Sequence, residues 1–87
     1  MKVVALYHPQ SDKARLVEEY ADEFERRHSR ALELVSLESV EGANLARLYD
    51  IVQYPALLAV RDDGQLAAQW QGDPLPMMDE VAGYLRA

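Results

Sequence analysis

One stretch, residues 50–72, constrains the fold of this chain more than any other. It reads DIVQYPALLAV, then RDDG, then QLAAQWQG. Proline has no N–H to give to a sheet ladder, so Pro55 suits the opening of a strand. Asp63-Gly64, set between two apolar runs, predicts a two-residue hairpin turn, because both residues tolerate positive φ. The stretch therefore reads as two antiparallel strands, entered through a proline and left at Gly72.

The remaining residues must cover that hairpin. A chain of 87 residues, 49% of them hydrophobic, is long enough and apolar enough for one modest core, and a single domain over residues 1–87 is expected. The net charge of −6 keeps such a protein soluble and argues against a nucleic-acid partner, which demands a basic surface. No apolar run reaches membrane-spanning length, so no membrane partner is expected. The first residues, MKVV, enter a strand-like segment directly, without the layout of a signal peptide, and a cytoplasmic location is the expectation. There is no cysteine. Disulfides, thiolate nucleophiles and cysteine-ligated zinc are therefore closed to this chain. The two histidines, His8 and His28, lack metal-ligand spacing, and neither a metal nor a cofactor is expected.

Taken in order, residues 2–7 form a nearly continuous apolar run, which predicts a strand covered on both faces. Ser11 is the expected N-cap of a helix over 12–28, with Asp12 in its first turn. Ala14, Val17, Ala21 and Phe24 recur at helical spacing, and the acidic residues between Glu18 and Glu25 form a solvated face. Residues 31–37 predict a second strand, with Leu32 and Leu34 on one side and Val35 and Leu37 on the other. Ser39 opens a short helix to about Tyr49, with Leu45, Leu48 and Tyr49 inward and Gly42 weakening its first turn. After the hairpin, Asp73-Pro74 predicts the cap and first residue of a last helix that buries Met78, Val81, Ala82 and Leu85. The order is β-α-β-α-β-β-α. A right-handed crossover should make the first two strands parallel, and helices should cover both faces of one mixed four-stranded sheet.

This order, together with the helix end at LYDIVQYPALLAV, the glycine hairpin and Gly72 after the last strand, resembles the thioredoxin-like superfamily in its minimal, glutaredoxin-sized form. The resemblance implies an α/β thioredoxin-like fold with a cis bond between Tyr54 and Pro55. It also implies a bend there whose main-chain groups pair with an extended ligand, a small case of β-strand addition. One departure bears on chemistry. The family carries its Cys-x-x-Cys pair between the first strand and the first helix, and here that segment is HPQSDKA. Ser11 and Ala14 fall where the cysteines belong, and serine neither forms disulfides nor ionises at neutral pH without a base. The residue after the proline, commonly threonine in the family, is Ala56. Dithiol–disulfide activity is therefore excluded.

The candidate binding residues are those around the vacated redox site: His8, Ser11, Tyr54, Pro55, Gly72 and Asp73. No catalytic residue is assigned, since no acid is visibly placed to orient His8 against Ser11. Trp70 and Leu66, expected on one face of the last strand, are the candidate interface residues, because that strand should lie at a sheet edge. The favoured function is a non-redox binding module with a protein or peptide partner, or with a second copy paired through the edge strand. Two alternatives stand beside it. One is a protein that binds glutathione or a similar thiol ligand through Ser11 and the proline loop. The other is a regulator resembling the circadian-clock protein KaiB, which also begins with a thioredoxin-like half.

Overall fold

A computed structural model describes residues 1–86. The elements are β1 (Lys2–Tyr7), α1 (Ala14–His28), β2 (Glu33–Ser36), α2 (Val40–Leu48), β3 (Ala56–Val60), β4 (Leu66–Gln71) and α3 (Met78–Leu85). They form a mixed sheet in the order β2-β1-β3-β4. β1 runs parallel to β2, from Val4 opposite Glu33 to Tyr7 opposite Ser36. It runs antiparallel to β3, from Lys2 opposite Val60 to Leu6 opposite Ala56. β3 and β4 are antiparallel. The continuous apolarity of β1 and β3 has a direct cause: both are central strands with helices on either side.

The sheet separates two apolar layers. On one face Val3, Ala5, Tyr7, Leu57 and Ala59 meet Val17 and Phe24 of α1 and Val81, Ala82 and Leu85 of α3. On the other face Val4, Leu6, Ala56, Leu58 and Val60 meet Val35 and Ile51, with Leu45 and Ala46 of α2 packed against them.

Several local expectations are corrected by the structure. Ser11 is not the cap of α1. Helix α1 begins at Ala14 after Lys13, with no side-chain cap and no acid in its first turn, so Asp12 lies outside it. Asp73-Pro74 does not start α3 either; Met77 precedes that helix. Between them Leu75 reaches the α1 layer and Tyr20 donates to the Pro76 carbonyl at 2.8 Å, so residues 73–77 strap across α1 instead of coiling.

The hairpin loop has three residues, not two. Gly64 N–H donates to the Arg61 carbonyl and Arg61 N–H to the Gln65 carbonyl, both at 2.8 Å. Only Gly64 of the loop has positive φ, at +90°; this is a type I turn closed by a glycine bulge. A second irregularity follows, since Ala59 faces Ala68 while Val60 faces Leu66. Ala67 is thus an extra residue in β4, and a bulge reverses the alternation beyond it. Leu66 consequently packs with the α2 layer and Trp70 with the α1 layer, on opposite faces and not on one.

In α2, Ser39 caps the helix by accepting from Gly42 N–H at 2.9 Å. Its inward side is Gly42, Leu45, Ala46 and Tyr49, positions that coincide at 100° per residue; Leu48 lies off that side and is 69% exposed. Gly42 is more than a weak helix former. A Cβ there would run into the Ser36 carbonyl, so its bare Cα lets α2 lie against the end of β2. Leu34 is also exposed, on an edge strand where neither layer covers it.

Candidate functional site

The segment between β1 and α1 closes on itself. Both the N–H and the hydroxyl of Ser11 donate to the His8 carbonyl, at 3.0 and 2.7 Å, and Lys13 N–H donates to Ser11 Oγ at 3.3 Å. The turn leaves His8 exposed, and its ring meets the Tyr54 ring edge-on at 5.6 Å. Tyr54 is anchored in turn by its hydroxyl, which donates to the Ile51 carbonyl at 2.8 Å. The bond from Tyr54 to Pro55 is cis, as is that from Asp73 to Pro74.

Between these parts lies an open groove of about 250 Å³. One wall is Tyr7, His8, Ser11, Asp12 and Lys13; the other is Tyr54 and Pro55. Tyr7 joins the groove to the α1 layer. Its phenol is pushed up by burial and then by the charge of Glu18, to which its hydroxyl donates at 3.4 Å. The lip is an ion pair, Lys13 Nζ to Asp73 Oδ2 at 2.8 Å. That hydrogen bond, and then the carboxylate charge, raise the Lys13 ammonium above its ordinary range. Gly72 lies behind the proline; at φ +81°, its N–H donates to the Pro55 carbonyl at 2.8 Å.

No family model matches this sequence, and no curated protein does. Solved structures do. Thioredoxin 1 from the thermophilic eubacterium Thermosipho africanus is similar with a TM-score of 0.64 at 9% identity, over 99% of this chain and 91% of that one. Thioredoxin O2 from Arabidopsis thaliana, in its oxidized state, gives 0.67 at 13%, over 98% and 71%. A malarial protein gives 0.64 at 11%, over 97% and 91%.

The fold is thioredoxin-like.

At these identities the likeness is one of architecture, and the chemistry must be read from the residues. A thioredoxin-like chain with no cysteine has no thiol with which to exchange a disulfide. The Ser11 hydroxyl points to a main-chain oxygen of its own turn, not to an imidazole that would take its proton. Among the described residues, no group of three or more acidic or histidine side chains is placed to hold a metal ion.

Of the residues singled out from the sequence, His8, Ser11, Tyr54 and Pro55 line the groove, Asp73 forms its lip and Gly72 backs it. Trp70 and Leu66 lie elsewhere. The Trp70 indole donates to Glu80 Oε2 at 3.0 Å and packs edge-on against Tyr84 at 5.5 Å, so α3 holds it. His28, the last residue of α1, tilts over Phe24 at 4.9 Å with Asp79 3.5 Å from its Nε2. Sequence reasoning missed Tyr7, Asp12 and Lys13 as groove residues. Tyr7 was legible as the last residue of the strand that leads into the turn. The Lys13–Asp73 pair, 60 positions apart, left no local signal.

Proposed function

We propose that this chain is a non-redox binding module of the cytoplasm whose groove takes an extended peptide segment of a protein partner. The observation that supports this most is the groove itself: an open, aromatic-walled channel at the end of the central strands, with an edge-to-face His8–Tyr54 pair on its rim. Aromatic side chains that are anchored before binding lose little freedom on contact, which makes them effective recognition groups. Tyr54, fixed by its bond to Ile51, is such a group. Asp12 and the Lys13–Asp73 pair add polar contacts at the margin.

A peptide-display selection against the intact chain tests this reading, followed by calorimetry on the selected peptide. Tyr54→Ala should weaken binding at least about tenfold, as loss of a central aromatic anchor does, with the circular dichroism spectrum unchanged. Trp70→Ala should bind as the parent does, because α3 and not the groove surrounds that residue. Equal affinity of Tyr54→Ala and the parent, or failure to select any peptide, would refute the proposal.

The glutathione reading draws less support, because the Ser11 hydroxyl is committed to the His8 carbonyl; millimolar glutathione should leave the melting temperature unchanged. Nothing among the described residues favours a KaiB-like regulator. Pairing of two copies through β4 rests on that strand's place at the sheet edge. The bulge at Ala67 twists the edge in the manner that discourages such pairing, and sedimentation at rising concentration decides it.

A further inference from the structure

The hydrogen bonds of one loop point to a residue outside the groove lining. Residues 52–55 lead from α2 into β3 and carry the Tyr54–Pro55 wall. Main-chain N–H groups at such an entry take their acceptors from the protein or from water. Val52 and Gln53 both donate to one side-chain oxygen, Oε1 of Gln71, at 2.9 and 3.1 Å. The other end of that carboxamide is fixed as well, because Gln71 Nε2 donates to Gln69 Oε1 at 2.6 Å. The next residue holds the same loop from below. Gly72 N–H donates to the Pro55 carbonyl at 2.8 Å, and a Cβ at Gly72 would stand 2.9 Å from Gln53 Oε1. Two consecutive residues at the end of β4 therefore grip residues 52–55 by two N–H groups and one carbonyl.

We propose that Gln71 is the positioning residue of the groove: its carboxamide, backed by Gly72, sets where Tyr54 and Pro55 stand, so the shape of the binding wall is governed from the edge strand. The side chain of Val52 is largely exposed and gives the loop no apolar anchor. The consequence for binding rests on the groove reading above; the ordering of the loop does not.

The test compares Gln71→Leu, which removes the acceptor, with Gln71→Glu, which keeps an oxygen for both N–H groups and gives up only the Nε2 bond to the exposed Gln69. Amide exchange is followed by NMR in the full chain, with Leu57 and Leu58 of β3 as internal references. Gln71→Leu should speed exchange at Val52 and Gln53 by about tenfold or more, the scale of two lost hydrogen bonds, while Leu57 and Leu58 keep the parent rates. Its affinity for the peptide selected on the parent chain should fall, and Gln71→Glu should retain both the protection and the affinity. Unchanged exchange at Val52 and Gln53, equal loss at Leu57 and Leu58, or full peptide affinity in Gln71→Leu would each overturn the positioning role. Failure of the parent chain to bind any selected peptide refutes the groove reading alone, and the exchange rates still decide what Gln71 does to the loop.

Discussion

The two faces of the sheet are built on different principles. The face under α1 and α3 is filled by large side chains, with Phe24, Val17 and Val81 fully enclosed. The face under α2 is covered by one short helix that reaches the sheet through a glycine, and it leaves Val40 and Leu48 in solvent. Both faces enclose large side chains, Leu6 and Leu58 on the second among them, but the α2 contact is also closed to an added atom. The groove draws on both, since Tyr7 belongs to the first layer and Tyr54 packs against the second.

Phe24→Ala is the severest way to break this contrast. It removes the largest enclosed side chain of the α1 layer and should cost about 3–5 kcal/mol by urea titration. On the other face, Gly42→Ala introduces a methyl into the Ser36 carbonyl. Overpacking of that kind costs about 1–3 kcal/mol and outweighs the gain of about 1 kcal/mol that alanine brings to a helix. A stabilised Gly42→Ala would show that α2 rides clear of β2. Trp70, the only tryptophan, reports the α1 face through Tyr84 and Glu80. Its native emission should therefore stay unchanged in Gly42→Ala.

Two smaller substitutions sharpen the same comparison. Ser39→Ala removes the α2 cap and should cost about 1 kcal/mol. Tyr20→Phe removes the hydroxyl that ties α1 to the Pro76 carbonyl and should cost a similar amount, about 1 kcal/mol at neutral pH. Its signature is alkaline. Burial, and then the charge of Glu80, push the Tyr20 phenol from 10.0 up to about 12. The neutral phenol is the form the fold prefers. Its contribution is therefore whole below pH 10.0 and is lost as pH rises through about 12. Tyr20→Phe should flatten that limb of the stability curve. The least effect belongs to Leu48→Ser, within about 0.5 kcal/mol, because the side chain is already in water.

The element order was legible because it depends on period and punctuation. The stripe Ala14, Val17, Ala21 and Phe24 is buried as its spacing requires, and Pro55 stands immediately before β3. The errors have two causes, competing polar partners and a bulge. Ser11 has the chemistry of a cap, but its oxygen accepts from Lys13 N–H in a turn that closes before α1 begins. Asp73 has it too, but Lys13 lay within reach. Leu66 was assigned by strict alternation, which a single extra residue in β4 reverses. Of the candidate site, the four lining residues were found because they flank the two chain breaks that the fold brings together. Lys13, and Gln71 behind the wall, were not, because nothing near them in sequence names their partners.

What the sequence determined alone is the architecture and one exclusion: hydrophobic period sets strands and helices, and a chain without cysteine performs no thiol exchange. What only the tertiary structure decided is which polar side chain meets which main-chain group. Such a contact joins Tyr20 to the Pro76 carbonyl, 56 positions away, and a hydrogen bond depends on distance and direction in space, which no local pattern encodes.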